Sequence, residues 1–244
     1  MPDAAWVAGL RVLVTGAAGG LGMALVEEAR RQGAAVAATG REPTIGAASF
    51  PDGTAVLAAD LADQEQCLTL VDRAADALGG LDIIINNAAV LVRRDFAELS
   101  LADFETAWAV NLRAPVLLMQ AARAHLERSA APAIVNVVST AAFNGGIDHV
   151  APYAMTKAGL VAATKAVAKE YGPLGIRVLA LSPPAIESRM RTNLTDEVRE
   201  RIRGFAILGR PATAREVAAV TLFAASPHAS FVTGSTLDVT GSIV

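Results

Sequence analysis

Glycines at positions 16, 19, 20 and 22 crowd into one short loop, and this loop constrains the fold more than any other stretch. Before it, Leu10-Arg11-Val12-Leu13-Val14 is a β-branched run that predicts a buried strand ending at Thr15-Gly16. After it, a helical run continues to Arg31 and is closed by Gly33. Glycines between a strand and a helix let the backbone approach a pyrophosphate, and the helix start offers it free N–H groups. The spacing is G-x3-G-x-G, from Gly16 through Gly20 to Gly22, with Leu21 inside the loop. That pattern departs from the common G-x-G-x-x-G, and a tight turn needing glycine for backbone reasons alone reads the same way.

The strand-then-helix alternation repeats along the chain. Residues 35–39 read as a second strand followed by Gly40-Arg41, with no carboxylate at 39–41 to accept from a ribose 2′-hydroxyl. Arg41 is either a partner for a 2′-phosphate or a solvated loop charge; the first reading favours NADP(H) over NAD(H), and Glu42 beside it opposes that preference. Residues 55–59 form a third strand ending at Asp60-Leu61, and Asp63 with Gln66 has capping-box spacing for a helix to Gly79-Gly80. Residues 82–85 are continuously apolar after Asp82, as a sheet covered on both faces requires, and end at Asn86-Asn87-Ala88-Ala89. The polar residues at these carboxyl ends either line a ligand site or merely cap and turn.

Ser100 is the predicted N-cap of one long helix to about Arg128, with Asp103 in its first turn and Asn111 in its interior. Residues 134–138 predict a fifth strand delivering Ser139, and residues 176–181 a sixth ending at Ser182-Pro183-Pro184. The polar, Arg-rich run from Glu187 onward, within 187–208, reads as a substrate lid. Thr213 with Glu216 opens a further helix, and residues 235–239 are the last strand. Strands alternating with helices throughout predict an α/β fold: one domain over 1–244, a doubly wound parallel sheet with helices on both faces.

The chemistry concentrates in Tyr153 and Lys157, four residues apart in a helix-forming run over 151–171. That spacing puts both side chains on one helix face, where an ammonium favours phenolate in a neighbouring phenol. The chain holds only two Tyr and three Lys against eighteen Arg, so chance rarely places them at this spacing. An ordinary amphipathic helix remains the bland alternative.

Composition excludes several other roles. A net charge of −3 and sparse aromatics argue against nucleic acid. No run of 18 apolar residues and no signal pattern after Met1 occur, so a soluble, cytoplasmic protein without a membrane partner is the expectation. Cys67 is alone, His125, His149 and His228 are scattered, and no metal-ligand cluster is present.

Taken together, Thr15-Gly16-x3-Gly20-x-Gly22, Asp60-Leu61, Asn86-Asn87-Ala88, Asn111, Ser139, Tyr153-x3-Lys157 and Pro183 resemble the short-chain dehydrogenase/reductase family over nearly the whole chain. Length and the run over 188–215 are most similar to its 3-oxoacyl-carrier-protein reductases, although Leu174 stands where those enzymes carry a basic docking residue. The resemblance implies a Rossmann-type sheet of about seven strands and a homo-oligomer, tetramer or dimer, assembled through the long helices. It implies Tyr153 as general acid/base toward a carbonyl or alcohol and Lys157 as the cation that tunes Tyr153 and holds the nicotinamide ribose. It implies Ser139 as donor to the substrate oxygen, and Asn111 as holder of a water that resupplies protons. By the same resemblance Gly16, Gly20, Leu21, Gly22, Arg41, Asp60, Leu61, Asn87, Ala88, Tyr153, Lys157, Pro183, Ile186 and Ser188 contact the dinucleotide.

Three positions depart from the family pattern. Ala89 and Pro184 replace glycines, and residues 237–242 replace its usual Asp-Gly-Gly ending. Pro184 removes a backbone N–H beneath the nicotinamide. It keeps open a second class of function, a dinucleotide-binding regulatory or structural subunit without turnover. A lyase or dehalogenase using the Ser–Tyr pair is a third, disfavoured by Lys157 and the glycine loop.

Overall fold

A computed structural model describes residues 5–184, 186 and 207–241. Seven strands form one parallel sheet: β1 (Arg11–Thr15), β2 (Ala35–Gly40), β3 (Ala55–Ala58), β4 (Ile83–Asn86), β5 (Ala133–Val137), β6 (Arg177–Ser182) and β7 (Thr236–Asp238). Their order across the sheet is β3-β2-β1-β4-β5-β6-β7. The order reverses between β1 and β4, so the helices after those two strands leave on opposite faces and open a crevice at the strands' carboxyl ends.

The continuous apolar strands follow from burial on both faces. Leu13, Ala37, Ile84, Ile134 and Val178 pack toward α2 (Gln64–Leu78), α4 (Ala114–Leu126) and α6 (Ala151–Tyr171). Their neighbours Val12, Val36, Ile85, Val135 and Leu179 pack toward α1 (Gly20–Arg31) and α7 (Ala214–Ala225). Period-2 alternation is hidden in the sequence because both sets of positions are apolar.

The helix starts are chemically specified. Ser100 and Thr213 form reciprocal capping boxes with Asp103 and Glu216, at α3 (Leu101–Trp108) and α7. At α2 the expected box is different: Asp63 accepts from Glu65 N and Gln66 N, but Gln66 Oε1 accepts from Asp60 N at 2.8 Å instead of from Asp63 N. Gln66 therefore fastens the loop that carries Asp60.

The single long helix predicted after Ser100 is interrupted. A π-helical turn, Ala109–Arg113, separates α3 from α4. Pro115, at the start of α4, has no N–H for the carbonyl of Asn111, and its ring crowds that carbonyl, so regular α-helical bonding cannot pass this point. Among the described residues no helix is long and apolar enough to cross a membrane.

Candidate active site

The crevice at the β1–β4 switch deepens into a cavity of about 640 Å³. One wall is the glycine loop. Gly16 has φ +64, and a Cβ there would stand 2.7 Å from Ala88 Cα. A Cβ on Gly22 would stand 2.2 Å from Gly16 O. Glycine is thus demanded at 16 by both the left-handed backbone and the close approach, and at 22 by the close approach alone. Gly19 caps α1 without any side-chain hydrogen bond, which leaves the N–H groups of the first turn facing a loop free of side-chain bulk.

The loop is braced from β4. Thr15 Oγ1 accepts from Asn87 N and Ala88 N, each at 3.0 Å, and Asn87 Nδ2 donates to Thr15 O at 2.9 Å and Gly16 O at 3.2 Å. Asn87 and Ala88 therefore line the cavity and hold the loop at once. Asn86 does neither; it is buried and donates to Asn136 Oδ1 at 2.8 Å. Ala89 adopts no left-handed backbone, so its methyl group is tolerated where the family pattern has glycine.

At the β2 end, Arg41 and Thr44 are exposed residues of the cavity wall. Glu42 is absent from that wall; its carboxylate lies over Gly46, close enough that a Cβ there would be 2.8 Å from Oε2. Ala59 N donates to Gly40 O at 2.9 Å, which sets Asp60 and Leu61 beside this end. Asp60 Oδ1 accepts from Ala62 N at 2.9 Å, so its carboxylate also shapes the turn.

The opposite end of the cavity gathers Ser139, Tyr153, Lys157, Pro183, Pro184 and Ile186. Ser139 Oγ accepts from Ala141 N, the first residue of the short helix α5 (Ala141–Asn144), at 3.2 Å. Lys157 is 1% exposed, donates to Val137 O at 2.6 Å, and holds Nζ 5.7 Å from the Tyr153 ring centroid. Burial pulls its ammonium down to about 8, because desolvation penalises the charged form. Ser188 and residues 187–206 of the expected lid lie outside the described residues.

Asn111 stands apart from the cavity wall. It is fully buried in the π turn, accepts from Val90 N at 2.8 Å, and donates to Val90 O at 2.9 Å and Thr156 Oγ1 at 3.2 Å. Thr156 Oγ1 in turn donates to Tyr153 O at 2.8 Å. Thr156 is thus a structural partner of the site that the sequence did not single out, since a lone Thr carries no recognisable spacing. Thr15, which opens the glycine motif, acts as the brace between that loop and β4. Thr44, Val90, Arg93 and Asp148 also line the cavity unpredicted, whereas His149 does not reach it.

Comparison with known proteins agrees with this architecture. The chain matches the family model described as enoyl-(acyl carrier protein) reductase over residues 16–242. It is 36% identical over 243 residues to L-xylulose reductase of Mesocricetus auratus, covering 98% of each. Among solved structures it is similar to a short chain dehydrogenase from Burkholderia cenocepacia in complex with NADP, with TM-score 0.86, 30% identity and coverage of 97% and 98% of the two chains. It is likewise similar to a 3-ketoacyl-(acyl-carrier-protein) reductase from Brucella melitensis complexed with NADH, with TM-score 0.88, 29% identity and coverage of 96% and 98%. A sheet whose glycine loop, braced crevice and Tyr–Lys pair meet in one cavity, matched to these relatives over nearly its whole length, makes the chain a member of the short-chain dehydrogenase/reductase family of NAD(P)-dependent oxidoreductases.

Proposed function

We propose that this protein, acting as one catalytic domain, moves a hydride between NADP(H) and the carbonyl or secondary alcohol of a small molecule. The observation that carries this reading is the shared cavity: Ser139, Tyr153 and Lys157 line the same space as Gly16, Gly20 and Gly22. The residues fit a dinucleotide, because Gly16, Gly19, Gly20 and Gly22 line the cavity without side chains where the loop enters the N-terminus of α1, and a pyrophosphate needs such a close approach to backbone N–H groups. Gly16, Gly20, Leu21 and Gly22 would hold the pyrophosphate; Asp60, Leu61, Asn87 and Ala88 would line its adenosine side; Lys157, Pro183 and Ile186 would lie along its nicotinamide side. Arg41 with Thr44 suits a 2′-phosphate, and Glu42 turned onto Gly46 does not oppose it. One solved relative is complexed with NADP and another with NADH, so the preference rests on Arg41 and Thr44.

When bound, the nicotinamide supplies the hydride, which is the cofactor's own chemistry. Ser139 accepts from Ala141 N, which leaves its own O–H to donate to the substrate oxygen. Tyr153 gives its phenolic proton to that oxygen as negative charge develops there. Lys157 stabilises the phenolate left behind, and an ammonium brought down to about 8 gives up a proton readily near neutral pH. The side chain of Asn111 is committed to Val90 and Thr156, so the water expected of this residue falls to its backbone carbonyl, which Pro115 cannot reach with an N–H.

The similarity to a 3-ketoacyl-(acyl-carrier-protein) reductase favours a second reading, reduction of a carrier-bound thioester. Leu174, 38% exposed where a basic docking residue is expected, speaks against it. We further infer a cytoplasmic homo-oligomer, in keeping with the exposed apolar residues of α3 and α6, Phe104, Trp108 and Met155. The test is oxidation of NADPH and NADH followed by absorbance against a panel of ketones. Turnover with any of them supports the reading. No thermal shift with either dinucleotide would remove it.

A further inference from the structure

The carboxyl end of β3 brings Asp60 and Leu61 to the cavity wall, on a turn that is bonded mostly to itself. Asp60 N donates to Gln66 Oε1 at 2.8 Å, and Asp60 O accepts from Asp63 N at 3.0 Å. Leu61 O accepts from Cys67 Sγ at 3.4 Å, and Asp60 Oδ1 accepts from Ala62 N at 2.9 Å. All of these bonds lie within residues 60–67, so they give the turn its shape. The Ala62 carbonyl has a distant partner instead: Arg113 Nη2 donates to it from 51 residues along the chain. Arg113 ends the π turn Ala109–Arg113, and its guanidinium carbon stands 5.5 Å from the Trp108 ring centroid, within the range of a cation–π contact. Two residues earlier, Asn111 grips both backbone groups of Val90. Residues two apart on a helix point in roughly opposite directions, so one π turn reaches two separate segments. Arg113 holds the turn after β3, and Asn111 holds the loop after β4.

We infer that Arg113 is a positioning residue for the dinucleotide: it anchors the turn after β3 so that Asp60 and Leu61 meet the adenosine half. This rests on the assignment of Asp60 and Leu61 to the adenosine side. A turn bonded only within itself keeps its shape but rocks as a unit about its two ends. Adenosine binding must then stop that motion, and the ordering lowers affinity. The bond from Arg113 fixes the turn before the ligand arrives, and a guanidinium donor makes it stronger than a neutral one would. Packing over Trp108 restrains the long side chain, so less of its freedom is lost in making the bond. Arg113 is not among the residues that line the cavity, so its effect reaches the ligand through Asp60 and Leu61. It is therefore indifferent to a 2′-phosphate, in contrast to Arg41, which stands in the cavity wall.

The test is fluorescence titration of NADPH and NADH, with AMP as a competitor that carries the adenosine half alone. Arg113→Met keeps the apolar stem and removes the donor. It should weaken NADPH, NADH and AMP by the same factor, roughly 3- to 30-fold, less than a fully buried charged hydrogen bond gives because water reaches part of the guanidinium. Arg113→Lys keeps a charged donor and should recover most of that loss, which a general loss of stability would not produce. Asp60→Ala should weaken all three ligands as well, and Arg113→Met added to it should bring less than its full factor, because the two act in one chain. Unequal losses of NADPH and NADH, unchanged AMP, wild-type affinity in Arg113→Met, or a full multiplicative loss in the double variant would each overturn the inference and leave the adenosine assignment standing. If Arg113→Met does not fold, Arg113→Gln, a neutral donor on a shorter stem, should still weaken the three ligands equally; wild-type affinity there sinks the inference in the same way. Wild-type affinity in Asp60→Ala would instead remove the adenosine assignment and this inference with it.

Discussion

Asn111 holds Val90 by both of its backbone groups, accepting from the N–H at 2.8 Å and donating to the carbonyl at 2.9 Å from within a π-helical turn. The loop after β4 therefore takes its position from a helix far along the chain, and Thr156 passes the same connection to the carbonyl of Tyr153. Asn111→Leu takes the partner from both backbone groups of partly buried Val90 and removes one donor to Thr156 Oγ1, which keeps its own bond to Tyr153 O. It should lower stability by about 2–4 kcal/mol in urea denaturation and reduce kcat. Asn111→Asp keeps an acceptor for Val90 N but buries a carboxylate against Val90 O, so it should also lose stability, and lose less at a pH low enough to protonate that carboxyl. A loss that does not change with pH would show that the buried charge is not its source.

Lys157 offers a prediction with a definite sign. Its folded pKa of about 8 lies below the unfolded value of 10.5, so the unfolded chain binds more protons between those pH values. Stability from this group rises with pH across that window, and below pH 8 the penalty is complete. The penalty is at most about 3 kcal/mol, reduced by the hydrogen bond to Val137 O. Lys157→Met should therefore be more stable than wild type near neutral pH, with the gap closing as pH approaches the unfolded value. Denaturation midpoints at several pH values check this, and a gap that stays constant would mean that charge burial is not its source.

Tyr153→Phe removes one proton donor and leaves the cavity's shape intact. It should lower kcat by roughly 10²- to 10⁴-fold while the thermal shift given by NADPH is kept. Retained turnover would take the acid role away from Tyr153.

Arg41→Ala should weaken NADPH by roughly 10- to 100-fold and barely change NADH, the range expected for a charge-assisted contact to phosphate. Fluorescence titration of both dinucleotides measures it. An equal effect on the two would contradict the 2′-phosphate assignment.

Much of this was legible in the residues before any fold was known. Apolar β-branched runs separated by glycine turns and capped helices imply a parallel sheet covered on both faces, since nothing else buries such strands. The glycine loop and the Tyr153–Lys157 spacing were readable because each depends only on local geometry: a strand-to-helix turn, and one turn of helix. The tertiary structure alone decided what depends on contacts between distant segments. Gln66 matched a capping pattern yet reaches Asp60, because the loop after β3 brings that N–H nearer. The helix from Ser100 looked continuous, yet it relaxes into a π turn where Pro115 withholds an N–H and Asn111 turns inward. Arg93 and Asp148 carry no shared signal, because their pairing exists only once two separate loops meet beside the cavity. Periodicity and spacing record what a segment does to itself, whereas a side chain's choice of partner is fixed by packing between segments that the sequence holds apart.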